Sequence, residues 1–191
     1  MKTMNPRYIL KTHGPKLFIL FALLLFIAVA NISAGYKEHE AKAVFLPNSD
    51  YLHEVVKSIE KAKKNIVISM YMFKTTDYTK QASKHIQDAL YRAAEKGVEV
   101  TVLFDIEKEK GFLNDVNKET AAELREKGIN VIYDPVDVRT HTKLVVIDEE
   151  IVFIGSHNFT HSAMVYNNEA SAKIISEDFA RKTLEYIEGI H

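Results

Sequence analysis

The sequence predicts an α/β fold, a mixed and largely parallel β-sheet with helices packed on both faces. Two observations carry that expectation. Up to residue 133, apolar runs of strand length alternate with segments of helical periodicity, the pattern that winds into a parallel sheet with crossover helices. Beyond it, apolar runs at 142–147 and 151–154 are separated only by Asp148, Glu149 and Glu150. That is hairpin spacing, and it adds antiparallel strands.

The elements follow in order. Residues 36–42 are polar and read as a linker, and 43–46 form a short strand stopped by Pro47. Ser49 is placed to cap a helix in which Leu52, Val55, Val56, Ile59 and Ala62 recur at helical spacing. Residues 65–71 read as a buried strand. A helix over 80–96 turns Ile86, Ala89, Leu90 and Ala93 inward and ends at Gly97. Residues 98–104 make the next strand. A charged stretch over 107–118 leads into a helix ending at Lys127-Gly128, and a strand over 129–133 is broken by Asp134-Pro135. After the hairpin come a short helix over 159–166, a strand over 169–175 and a closing helix over 178–187.

Composition bounds the rest. The chain has 191 residues, 47% hydrophobic and 27% charged, enough for one domain with a core of its own. There is no cysteine, hence neither a disulfide nor a thiolate metal site. Residues 1–35 carry Lys2, Arg7, Lys11 and Lys16 and no acid; removing these four charges from the net −1 leaves −5 on the body. A mildly acidic body argues against broad electrostatic capture of nucleic acid, though a local basic cleft is compatible with it. Residues 17–30 are an unbroken apolar run preceded by Lys11 and Lys16 and followed by small residues, the plan of a secretory signal. The alternative is an uncleaved anchor: residues 17–34 would span about 27 Å as a helix, at the lower limit for a bilayer. Either reading exports a catalytic body at 43–191, to the periplasm, the exterior or a membrane surface.

The chemistry concentrates at His141-Thr-Lys143. In an extended strand residues two apart face the same side, so an imidazole and a cation enter one pocket from a run that is otherwise apolar. A neutral imidazole attacks phosphorus and forms a phosphohistidine. Lys143 supplies positive charge for the phosphoryl oxygens, and Ser156 and Asn158 supply a hydroxyl and an amide. Gly155 permits close backbone approach. Asp148 falls at the turn, on the opposite strand parity from His141, which points to bonds with turn amides.

His141-x-Lys143-x4-Asp148 followed by Gly155-Ser156-x-Asn158 resembles the signature of the phospholipase D superfamily. Asn168-Glu169 resembles the Asn-Glu pair that follows it, and Tyr71-Met72-Phe73 the end of the family's first sheet strand. Chain length and a single motif copy look most like the small nuclease branch of bacterial endonucleases and a mitochondrial-surface member. The resemblance implies an α-β-α sandwich and a metal-independent phosphodiesterase with no cofactor. It makes His141, Lys143, Asp148 and Glu169 the catalytic set, with Glu169 fixing the His141 tautomer, and Lys143, Ser156 and Asn158 the phosphate binders. It also implies two motif copies at one site. No other histidine (His13, His39, His53, His85, His157, His161 or His191) has a lysine two residues on, so a homodimer sharing its site is expected.

Competing readings bear on several residues. His157 and His161 have the spacing of a helical metal pair, without the glutamate of the metalloprotease pattern. Asn158-Phe-Thr160 and Asn31-Ile-Ser33 fit a glycosylation sequon. Lys57, Lys61, Lys63 and Lys64 form a basic helix end, and Arg139 is a further cation near His141. Nucleic acid is the first substrate expectation. A phospholipid headgroup is the second, with membrane association through residues 17–34, and a catalytically silent scaffold that keeps the fold is the third.

Overall fold

The computed structural model describes residues 38, 40–76 and 81–190. The expected leader, with both of its readings, and the start of the expected helix at 80 lie outside these residues. The rest builds one seven-stranded sheet. Its elements are β1 (Lys42–Pro47), α1 (Asp50–Glu60), β2 (Asn65–Met70), α2 (Ala82–Glu95), β3 (Glu99–Phe104) and α3 (Phe112–Glu126). There follow β4 (Asn130–Tyr133), β5 (Lys143–Ile147), β6 (Ile151–Gly155), α4 (His161–Val165), β7 (Ala170–Ile175) and α5 (Glu177–Glu188).

Strand order is β1-β7-β6-β5-β2-β3-β4. The sheet is mixed, as expected, but its parallel part is smaller than the helix–strand alternation implied. Only β2–β3 and β3–β4 are parallel; the other four ladders are antiparallel. The reason is connectivity. Residues 134–142 contain no crossover helix, and they return the chain antiparallel on the free side of β2. The β5–β6 hairpin and the turn around α4 then reverse direction each time, and β1 completes the edge against β7.

Alternate strand residues feed two cores. On one face Ile66, Ile68, Val100, Val102, Val145 and Phe153 meet Val55 and Ile59 of α1, Ile86 and Leu90 of α2, and Leu124 of α3. On the other, Leu103, Leu144, Val146 and Val152 meet Ala180 and Ile187 of α5. Helices therefore cover both faces, and the consecutive apolar runs follow from that double coverage. Phe73 stands edge-on to Phe159 with centroids 4.9 Å apart and lies 6.3 Å from Phe104. All three are fully buried, each contributing about 1.5–3 kcal/mol of transfer free energy. They lock together the strand ends that carry the site.

Local expectations divide. Gly97 ends α2 with φ +87°, the left-handed closure expected there. Ser49 occupies the capping position of α1, but its backbone is helical (φ −66°, ψ −15°) and its side chain makes no cap bond, because capping needs an extended residue to aim the hydroxyl back at the first amides.

Candidate active site

The site lies where β2 and β5 meet, at the seam between the parallel and antiparallel halves. The β2–β5 ladder pairs Met70 with Lys143, and one step further the Tyr71 amide donates to the Thr142 carbonyl at 3.0 Å. His141 thus sits just before the strand with its ring exposed, while Lys143 is 7% exposed. Tyr71 lies between the two side chains. Its ring meets the His141 ring edge-on at 4.4 Å, and the Lys143 ammonium stands 4.9 Å from the same ring's centroid. Lys143 Nζ also donates to the His141 carbonyl at 2.9 Å. The expected pairing of imidazole and cation is present, organised around an aromatic ring to which the sequence reading gave no role.

The surroundings set the charge states. The His141 imidazole is held below the ordinary histidine value, first because part of the ring is withdrawn from water, then because Lys143 and Arg139 repel a second positive charge. A neutral ring at neutral pH is the nucleophilic form. Burial lowers the Lys143 ammonium, opposed by the carboxylates of Glu169 and Asp105.

The other expected residues distribute as follows. Ser156 Oγ donates to the Glu169 carboxylate and accepts from the Ala170 amide. Asn167 Nδ2 donates to the second Glu169 oxygen at 3.0 Å. The Glu169 carboxylate is thus bonded to Ser156 and Asn167, not to the His141 ring as the resemblance implied; it reaches the site through its charge on Lys143. A parallel bridge between Phe73 and Phe159 brings Asn158 beside the Tyr71 strand end, with Oδ1 buried and without a hydrogen-bond partner. Thr160 caps α4 by accepting from the Ala163 amide, and five residues of helix add no anion-binding edge. A Cβ on Gly155 would lie 2.1 Å from Ser171 Oγ and 2.4 Å from its Cα. The glycine is required by the approach of β6 to β7, and the expected approach to a ligand is not needed to explain it.

Asp148 lies apart from the His141–Lys143 cluster. It occupies the far end of β5 from Lys143, about 16 Å away along a strand. Its carboxylate accepts from the amides of Lys63 (3.0 Å), Lys64 (2.7 Å) and Asn65 (3.3 Å). Asp148 and Glu149 both have positive φ (54° and 58°) and Glu150 donates back to Ile147, a type I′ hairpin turn. The clamp on the α1–β2 loop holds that turn in place. Its amides come from that loop, not from the turn itself.

His157 and His161 form no metal pair. His157 is fully buried and stacked on Tyr51 at 4.4 Å, with Nδ1 at 2.7 Å from Ser171 Oγ and Nε2 at 2.9 Å from the Asn48 carbonyl. His161 Nδ1 accepts from the Ala82 amide. No group of three or more metal-ligating side chains exists among the described residues. Asn117 is the positioning residue missed at the sequence level. From α3 it donates to the Tyr71 and Asp105 carbonyls and accepts from the Phe73 amide. The available signal was an asparagine on the inward face of an amphipathic helix.

Comparisons with known proteins agree on ancestry. The family model described as "Cardiolipin synthase, PLD-like domain" matches residues 55–191. The major cardiolipin synthase ClsA of Bacillus subtilis is 30% identical over 145 residues, covering 71% of this chain and 28% of that protein. Cardiolipin synthase 1 of Staphylococcus epidermidis is 32% identical over 142 residues, covering 72% and 27%. The chain thus spans little more than a quarter of these relatives. Among solved structures, Nuc of Salmonella typhimurium superposes with a TM-score of 0.65 at 24% identity, covering 80% of this chain and 94% of that one. NucT of Helicobacter pylori gives 0.62 at 21%, covering 79% and 96%. With its motif residues placed on this mixed sheet and the family model covering most of its length, the chain belongs to the phospholipase D superfamily, through a PLD-like domain of the cardiolipin synthase kind.

Proposed function

We propose that the protein is a metal-independent phosphodiesterase acting on nucleic acid at a site completed by a second subunit. The observation that carries this is the exposed His141 imidazole, kept neutral beside a buried cation. In the first step the neutral ring nitrogen of His141 bonds to phosphorus and the P–O bond to the leaving group breaks, that oxygen taking a proton from His141 of the partner subunit, which enters the step as imidazolium and leaves it neutral. In the second, the partner's ring removes a proton from water, the hydroxide attacks phosphorus, and His141 is released. Lys143 balances charge on the phosphoryl oxygens in both steps, with Ser156 and Asn158 as candidate donors. Nuc and NucT are covered almost completely by this domain, which supports a PLD-like domain of this size as a unit. The motif's resemblance to the small nuclease branch supports nucleic acid as substrate.

A second reading, hydrolysis or transfer at a phospholipid headgroup, is favoured by the cardiolipin synthase relatives and by one feature of the site. A cleft of about 500 Å³ runs from His141 along α5, walled by Leu144, Ile154, Phe179 and Tyr186, an apolar surface suited to lipid. In both readings the leader exports or anchors the domain.

One panel separates them: single- and double-stranded DNA, RNA and anionic phospholipid vesicles, each with full-length protein in excess EDTA. Nucleic-acid cleavage is expected, with His141→Asn lowering it at least about a thousandfold while circular dichroism stays unchanged. Cleavage that requires a divalent metal, or that survives the substitution, overturns the mechanism. Turnover of vesicles alone selects the second reading.

A further inference from the structure

Beneath the site lies a pair of buried acids that the mechanism above does not use. β3 and β4 are parallel neighbours with Phe104 opposite Tyr133, so the next residue of each, Asp105 and Asp134, emerge side by side at the strand ends. They are 1% and 5% exposed. Each carboxyl gives one oxygen to a backbone amide: Thr140 donates to Asp105 Oδ1 at 2.6 Å, and Ile106 donates to Asp134 Oδ1 at 2.8 Å. The other oxygen of each, Oδ2, is buried without a hydrogen-bond partner. Two ionised carboxylates so placed would repel one another with no protein donor bonded to either Oδ2. A single proton held between the Oδ2 atoms satisfies both.

The charges packed around the pair do not replace that proton. Arg139, from the loop leading to His141, is paired with Glu107. Lys143 of β5 acts on Asp105 through its charge, but its ammonium donates to the His141 carbonyl and makes no bond to either Oδ2. From α3 come only amides: Asn117 bonds the Asp105 carbonyl, and Asn114 bonds the backbone of Glu107 and Glu109. The adjoining cleft sets Glu107, Glu109 and Asp137 against Lys108 and Arg139.

We propose that Asp105 and Asp134 are positioning residues for His141, sharing one proton in a latch that holds the 134–140 loop through the Thr140 amide. The assignment rests on the reading of His141 as nucleophile, since Thr140 is its immediate neighbour. Burial pushes the Asp105 carboxyl up to about 6, opposed by the Thr140 amide bond and reinforced by the Asp134 carboxyl. The folded state therefore holds the proton more tightly than the unfolded chain does. Stability from the latch is complete below the ordinary carboxylate range and is lost as pH rises to about 6. Above that value the two Oδ2 atoms repel and drive the Asp105 and Asp134 strand ends apart, against the hold of the Thr140 and Ile106 amides on the ionised carboxylates, and the loop loosens.

The test uses full-length protein with ¹³C-labelled aspartate, following carboxyl, Thr140 amide and His141 ring resonances against pH, with kcat and KM measured in parallel. One carboxyl and the Thr140 amide should titrate together near pH 6, and kcat should fall above that midpoint while KM holds. Asp134→Asn supplies a permanent N–H in place of the shared proton and keeps an oxygen for Ile106. It should abolish the shared midpoint and extend full kcat by at least about one pH unit, a tenfold range of proton concentration. Two carboxyls titrating in the ordinary range with Thr140 unmoved, or an unchanged midpoint in Asp134→Asn, would overturn the latch. So would a midpoint displaced by Ca²⁺ or Mg²⁺, which would put a metal ion where the proton is assigned. The resonances need no turnover, so an active His141→Asn protein would remove the nucleophile reading and leave the titration readable.

Discussion

Tyr71 is the residue on which the proposed site turns. Its ring touches the imidazole and lies under the ammonium, covering part of His141 from water and keeping Lys143 close to it. Replacing Tyr71 with Ala exposes the imidazole, so the His141 pKa should rise toward the ordinary histidine value. The acid limb of kcat/KM should move to higher pH with it. Tyr71→Phe keeps the ring and should leave both unchanged, because the hydroxyl takes no part in either contact. Proton NMR of the imidazole against pH checks this; an unmoved His141 titration in Tyr71→Ala would remove Tyr71 from its role. The pairing of His141 with Lys143 was legible in the sequence because a polar pair two apart in an apolar strand is conspicuous. Tyr71 was noted only as part of a strand-end resemblance, and Asp105 and Asn117 not at all, since the role of an aromatic or acid at a strand end, or of a polar residue on a helix, shows only when folding places it beside residues far along the chain. Glu169 was singled out only through the motif resemblance, and its bonds to Ser156 and Asn167 were not legible.

At the scale of elements, the β5–β6 hairpin shows how a motif residue acts at a distance from the chemistry. Two consecutive non-glycine residues with positive φ are unfavourable, and the amide bonds to Asp148 hold them there. Asp148→Ala should destabilise the fold by about 1–3 kcal/mol, measured by chemical denaturation. Turnover by the folded fraction should stay within about twofold, where loss of a group in contact with substrate costs far more. The sequence placed this hairpin and nearly every helix and strand to within a few residues, because apolar periodicity is set by which face each element buries. It overstated the parallel share of the sheet, because periodicity does not record whether the next strand returns beside its predecessor or across from it.

At the scale of the whole molecule, one nucleophile per chain makes assembly part of the proposed chemistry. Light scattering should give the mass of two chains, and specific activity should fall on dilution in step with dissociation. Exchanging wild-type subunits with excess His141→Asn should reduce activity more than the wild-type fraction accounts for, since mixed pairs lack one of the two rings. A monomer of full activity would contradict the shared site. The seam between β2 and β5 also has a bearing on biogenesis. Ile66 pairs with Ile147 and Met70 with Lys143, contacts separated by most of the domain, and such distant pairings close late because the intervening chain must first be ordered. During synthesis the strand bearing Tyr71 is complete long before its counterpart has been translated. The nascent polypeptide therefore lacks the joined Tyr71, His141 and Lys143 cluster, and with it the proposed reactive centre, until β5 has docked on β2.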